Sequence, residues 1–141
     1  MKKRGCSEKD EFVIVRGNTM SEGTQAMRQE KIEYFLAQAQ QYHFTREYSK
    51  AMEFYIRAGL LGDEGAIRGV CEKLHNGYGM SYNEEELFRC MLTGAKQYEI
   101  PEAMRELARC YESGIGTEKN QEFADFWLQK SGLSLRLDDE D

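Results

Sequence analysis

One cysteine and one histidine stand at a spacing that could support chemistry. Cys71 and His75 are four residues apart, which places both side chains on one face of a helix. A thiolate beside an imidazole can act as a nucleophile, and the same two groups can supply half of a zinc site. A further metal ligand would have to come from Cys90 or Cys110, and nothing in the spacing indicates either.

Three arginines offer a second kind of chemistry, the binding of carboxylates. Arg68 and Arg105 are 37 residues apart, and Arg109 follows Arg105 by one helical turn. Guanidinium groups bind carboxylates through paired hydrogen bonds, so together they would suit an acidic peptide, from a partner or from the chain's own residues 138–141. The simpler interpretation is a solvated surface on which nearby acids neutralise the arginines, namely Glu72, Glu106 and Glu112.

Arg68 and Arg105 occupy equivalent positions of an internal repeat. The segment 66–79, AIRGVCEKLHNGYG, returns as 103–116, AMRELARCYESGIG. A fixed period of this size is typical of a stacked array, in which one unit cannot bury its apolar face alone. At this period Cys71 aligns with Ala108, a core position. The repeat therefore favours packing for the Cys71 thiol over catalysis or zinc binding.

The apolar periodicity predicts six helices in three antiparallel pairs. Ile32, Phe35 and Leu36 follow the helical rule in a first helix over about 25–42. The second helix is predicted over about 46–58, with Thr45 as its N-cap and glycines 59 and 62 at its end. The third is predicted over about 64–76.

The remaining three helices have recognisable start signals. Asn83 and Asn120 are predicted to cap the fourth and sixth helices, and Pro101 fits the first turn of the fifth. The sixth is predicted to end at residues 131–132. Its inward-facing residues are expected to be Phe123, Ala124, Trp127 and Leu128.

The charge and the apolar content of the chain exclude several classes of protein. The formal net charge of −6 over 141 residues argues against binding to nucleic acid phosphates or anionic membranes. No apolar run approaches the ~20 residues of a membrane span, and Phe12–Val15 is too short for a signal-peptide core. We therefore expect a cytoplasmic protein with reduced cysteines, made of a flexible segment 1–24, an array 25–132 and an acidic tail 133–141.

Residues 66–132 resemble the Sel1-like repeat, a relative of the tetratricopeptide repeat. The last unit carries Leu107-Ala108, Tyr111 and the Gly114-Ile-Gly116 turn, followed by Asn120, Phe123-Ala124, Trp127 and Lys130. The middle unit fits less well, since Cys90-Met91 replaces Trp-Tyr and Gly94 replaces alanine. The resemblance implies an all-α solenoid of about three helix pairs, with arrays that mostly serve as adaptors.

The combined prediction is a protein–protein interaction module without enzymatic activity, cofactor or metal. If the first helix of each pair lines the concave face, a partner polypeptide, in one version an acidic one, would meet the outward positions of these helices. They are Glu33, Gln40, His43, Arg68, Glu72, His75, Arg105, Arg109 and Glu112. Two alternative functions stay open: docking of a target through the N-terminal segment, and a cysteine-dependent or metal-assisted enzyme. The aromatic residues Phe126 and Trp127 near the last helix indicate either a cap formed by Leu133–Leu137 or self-association.

Overall fold

The structure, a computed structural model, describes residues 21–77 and 81–140, with side chains described as far as Gly132. Its helices are α1 (Glu22–Phe44), α2 (Tyr48–Leu60), α3 (Glu64–His75), α4 (Glu84–Gln97), α5 (Pro101–Ser113) and α6 (Gln121–Glu140). These ranges contain no strand, and the predicted all-α class is confirmed. The segment Phe12–Val15 lies outside the described residues.

The chain splits into two compact units, residues 1–31 and residues 32–141, and the boundary between them falls within α1. In the first unit, the Ser21 hydroxyl oxygen accepts a hydrogen bond from the Thr24 backbone N–H at 3.1 Å. That bond satisfies a donor in the first turn of α1, as an N-cap does. The second unit contains the remainder of α1 and all of α2–α6, and it carries the repeat.

The core of the second unit is shared between successive helix pairs. Helix α2 packs against α3 and α4, α4 packs against α5, and α5 packs against both α3 and α6. Large apolar side chains from five helices meet in one cluster, which includes Met52, Ile56, Ile67, Leu87, Met91, Met104, Leu107 and Trp127. No pair could bury its apolar face alone, so the stacked arrangement predicted from the repeat is confirmed.

Three predicted helix starts are confirmed. The Asn83 side-chain oxygen accepts a hydrogen bond from the Glu86 N–H at 2.9 Å. Asn120 does the same for the Phe123 N–H at 3.0 Å. Pro101 occupies the first turn of α5, where its missing N–H has no partner to lose.

The predicted boundary between α1 and α2 is wrong. Helix α2 begins at Tyr48 after Glu47, and no side chain caps it. Thr45 instead donates its hydroxyl proton to the Tyr42 carbonyl oxygen at 3.1 Å, on the preceding helix. The physical reason is Arg46, whose φ of +67° is not helical, so that α2 begins two residues later than expected.

The predicted ends of α2 and α6 are also wrong. Helix α2 runs through Gly59, which is buried, and ends at Leu60. Helix α6 passes through residues 131–132 and continues to Glu140. The Ser131 hydroxyl donates to the Leu128 carbonyl oxygen at 2.7 Å, so its polar group is satisfied within the helix. The division of the chain at residues 24 and 132 stays a prediction.

The buried face of α6 is narrower than expected. Ala124 and Trp127 are buried, but Phe123 is 50% exposed and Leu128 is 53% exposed. The prediction of these two residues as inward-facing is therefore wrong. Helix α6 packs on α5, and among the described residues these two side chains on its flanks are left half exposed.

Gly94 of α4 marks the closest approach of three helices. A β-carbon at this position would meet Ile67 Cγ2 of α3 at 2.6 Å and Ala103 Cβ of α5 at 3.0 Å. Real β-carbons essentially never show a contact of 2.6 Å, and 3.0 Å is already tight, so neighbouring groups would have to shift. The glycine that departs from the Sel1-like pattern therefore allows the three helices to pack.

We expect Gly94→Ala to lower the free energy of unfolding by about 1–3 kcal/mol, because the added methyl group overpacks the core. Gly69 of α3 is a matched control, since the nearest atom to an added β-carbon is Lys73 Nζ at 3.9 Å. Gly69→Ala should raise stability by about 0.5–1 kcal/mol through higher helix propensity. Urea unfolding followed by circular dichroism measures both, and equal effects of the two substitutions would contradict the packing argument.

Candidate functional site

A groove of about 400 Å³ lies between α3 and α5, the first helices of the second and third pairs. Both helices belong to the second unit. We call this surface the α3–α5 groove, and the residues that line it are Arg68, Cys71, Glu72 and His75 from α3 with Glu102, Arg105 and Glu106 from α5.

Helical periodicity places these side chains in two facing rows. The α3 residues follow one another at intervals of three, one and three positions, and those of α5 at three and one, so each set forms a single stripe. The opposite stripes hold Ile67 and Val70 on α3 and Met104 and Leu107 on α5, all fully buried. Burial of one side of each helix therefore fixes which side chains line the groove.

The two groove arginines differ in their surroundings. Arg68 is exposed, and its guanidinium donates to Glu64 Oε2 from Nε at 3.2 Å and from Nη2 at 3.0 Å. Arg105 is half-buried, and within residues 21–77 and 81–132 no hydrogen bond or ion pair joins it to a carboxylate. Arg105 is therefore the groove cation whose hydrogen-bonding capacity is open to a ligand.

The groove is of mixed charge. Three glutamates, Glu72, Glu102 and Glu106, line it together with the two arginines and His75. The expected strip of three guanidinium groups is not found in this groove, because Arg109 is not among the lining residues. The arrangement suits a ligand that places charge locally, in preference to a uniformly acidic one.

Arg109 is held by groups on its own side of α5. Its Nε and Nη2 donate to Glu106 Oε1 at 2.9 and 2.8 Å, and Tyr82 forms a further hydrogen bond. Burial lowers the pKa of Arg109, but the Glu106 carboxylate outweighs burial, and the net pKa is raised. Arg109 therefore stays charged and is engaged within the chain.

Helix α1 does not contribute to this groove. Gln40, His43 and Glu33 are exposed on α1, and the His43 ring lies 5.6 Å from the Tyr48 ring. Glu112 is exposed beyond the groove end of α5. Of the predicted set, the groove brings together Arg68, Glu72, His75 and Arg105.

Sequence reasoning did not select Glu102, and it considered Glu106 only as a neutralising acid. Both have glycine, at positions 65 and 69, as their counterpart one repeat earlier, so the comparison of repeats gave no signal. The signal available was their helical spacing to Arg105, three residues before and one after.

Cys71 forms the base of the groove as a protonated thiol. Its side chain is 3% exposed, and its Sγ lies 3.6 Å from Met91 Sδ. Burial, with a smaller contribution from the nearby Glu106 and Glu102 carboxylates, raises the pKa of Cys71 to about 12. A thiol with this pKa does not supply a nucleophilic thiolate at neutral pH, so the geometry gives no support to the cysteine-enzyme alternative.

The part of the chain that the structure describes contains no cluster of three or more histidine, cysteine, aspartate or glutamate side chains able to hold a metal ion. Within the same ranges, no helix has both the length and the apolar character needed to cross a membrane.

Comparison with known families gives a match to the Sel1 repeat over residues 33–63 and again over residues 101–133. The second match covers α5, with Arg105, and the start of α6. No curated protein and no solved structure matches the chain.

The buried thiols should make stability fall at high pH. The ordinary cysteine pKa is 9.0, and burial raises that of Cys71 and of Cys90 to about 12 in the folded chain. Between these values the unfolded chain loses thiol protons that the folded chain keeps, so stability present below pH 9 is lost as the pH rises.

We expect Cys71→Ala, which introduces the residue of the equivalent position 108, to reduce the loss of stability between about pH 8 and about pH 10.5 by about 1–2 kcal/mol. Urea unfolding of both proteins at each pH measures the difference. An identical pH dependence in the wild type and in Cys71→Ala would show that the Cys71 thiol is not protected from ionisation.

Proposed function

Because this chain is a member of the Sel1-like repeat family, whose repeats generally mediate protein–protein interaction, we propose that it binds a partner polypeptide in the α3–α5 groove. The observation that carries this proposal is Arg105, a half-buried cation on the groove wall without a carboxylate partner among the described residues. A bound peptide would bring the acidic group that Arg105 lacks.

The dimensions of the groove suit a short stretch of polypeptide. A volume of about 400 Å³ holds a few side chains, and two facing helices form walls along which an extended segment can lie. Cys71 at the base offers a small apolar contact, while the rims are charged. The groove therefore combines one apolar position with directional polar contacts, which together favour a defined peptide register.

The charges of the groove define the composition of the ligand further. A carboxylate at Arg105 would form a charge-assisted, bidentate pair, stronger than a contact at the exposed and already paired Arg68. Glu72, Glu102 and Glu106 would repel additional acids on either side. We propose a partner segment with one acidic residue, flanked by neutral or basic residues.

The biological role that follows is that of an adaptor, which holds one polypeptide by the groove while other surfaces remain accessible. Cys71, Cys90 and Cys110 are free thiols in the core, which suits a reducing compartment such as the cytoplasm. Burial raises the pKa of all three, so they pack as apolar groups.

The test is a peptide titration. Peptides selected from a random library on the immobilised full chain would be labelled and titrated against the wild type and Arg105→Glu. We expect Arg105→Glu to weaken binding about 10–100-fold, because an attraction becomes a repulsion at a half-buried position. Arg68→Glu should weaken binding less, by about 2–5-fold, since Arg68 is exposed and paired with Glu64.

Arg89→Glu is the matched control. Arg89 is exposed on α4, outside the groove, and its substitution changes the net charge by the same amount. If Arg105→Glu and Arg89→Glu weakened peptide binding equally, the change in net charge alone would explain the effect, and the groove proposal would be overturned. If removal of residues 1–24 abolished peptide binding while Arg105→Glu kept the wild-type affinity, the interaction would be assigned to the N-terminal segment instead.

A further inference from the structure

Helix α6 presents exposed aromatic rings at the end of the array. Phe126 is 55% exposed and Phe123 is 50% exposed. Neighbouring rings hold both in place edge to face: the Phe126 ring lies 5.1 Å from that of Trp127, and the Phe123 ring lies 5.2 Å from that of Tyr111. Rings that are already positioned lose little freedom when they bind, which favours their use in an interface.

Two opposite charges flank Phe126 along the same face of α6. Glu122 lies four residues before Phe126 and Lys130 lies four residues after it, so the three positions form one stripe about 12 Å long. In the described part of the second unit neither Glu122 nor Lys130 forms an ion pair. Lys130 Nζ lies over the rings of Trp127 and Phe126, at 5.3 and 5.9 Å from their centroids.

This stripe is complementary to itself. If a second helix runs antiparallel across a two-fold axis at Phe126, each residue before Phe126 faces the one equally far after it. Glu122 of one copy then faces Lys130 of the other, twice, with the two Phe126 rings between the pairs. A parallel arrangement would instead oppose like charges.

We propose that the α6 stripe, Glu122–Phe126–Lys130, pairs two copies of this chain in an antiparallel, two-fold symmetric dimer. We assign a second copy as the occupant because, when the order acid, aromatic, base is reversed, each charge meets its opposite and Phe126 meets Phe126. No residue of the α3–α5 groove lies on α6, so this proposal does not depend on the proposed function. A dimer would present two grooves at once and would bind a multivalent partner with higher avidity.

Sedimentation equilibrium of the full chain tests the proposal by charge reversal. A single-helix interface is small and binds weakly, so concentrations from ~10 to ~500 µM are needed to detect dimers. We expect Glu122→Lys and Lys130→Glu each to raise the dimer dissociation constant about tenfold, because each replaces two attractions by two repulsions. The double variant restores both pairs in reversed order and should regain the wild-type constant.

Phe126→Glu should raise the dimer dissociation constant at least ~30-fold, because it places two like charges at the two-fold axis. Leu128→Glu is the matched control: Leu128 is 53% exposed on the same helix but lies off the stripe, so its dimer should match the wild type. A wild type that stays monomeric over the whole range would overturn the proposal. Failure of the double reversal to rescue dimerisation in folded protein, as judged by circular dichroism, would do the same.

Discussion

The close packing of α2, α3 and α4 in the second unit depends on the fit of the Ile67 side chain between two glycines, Gly59 of α2 and Gly94 of α4. A β-carbon at Gly94 of α4 would meet Ile67 Cγ2 at 2.6 Å, and one at Gly59 of α2 would meet Ile67 Cγ1 at 3.1 Å. The Ile67 side chain is fully buried in the space that these glycines leave. Because α2 belongs to the first pair and α3 and α4 to the second, this contact joins successive layers of the array.

The same contact orients the proposed binding surface. Because Ile67 and Val70 are buried, the helical period places Arg68, Glu72 and His75 on the outer face of α3. Helix α5 is oriented in the same way by its own buried stripe. The groove is thus a consequence of core packing, and its polar residues contribute little to holding it open. Such surface positions can change with the partner while the fold is kept.

The parts of this structure that sequence reasoning predicted correctly are those in which one residue type has one physical role. Asn83, Asn120 and Pro101 marked helix starts because an amide side chain or a missing N–H acts locally. The repeat likewise predicted that Arg68 and Arg105 would share a surface, since equivalent positions of stacked units are neighbours.

The errors arose where tertiary contacts decide. Gly59 was predicted to end α2, but it lies buried within the helix. Glycine is needed there because the side chains of Cys90 and Ile67 leave no room for a β-carbon. Phe123 and Leu128 were predicted to face the core, but among the described residues α6 packs mainly on α5 and leaves both half exposed. Arg109 does not line the α3–α5 groove beside Arg68 and Arg105, and its bond to Glu106 depends on rotamers that spacing does not fix. None of these outcomes is encoded in residue type or in local periodicity.

For the proposed binding, the placement of charge in the groove matters more than the net charge of the chain. The chain carries a formal net charge of −6, so at long range it repels acidic partners. Screening confines that repulsion to about 8–10 Å at physiological salt, whereas a carboxylate seated at Arg105 would be within hydrogen-bond distance of a half-buried guanidinium. A segment with several acids would also meet Glu72, Glu102 and Glu106 at close range. We therefore propose that the groove selects for an acid at one position and that a highly acidic chain, such as residues 138–141 of this protein, is a poor ligand for it.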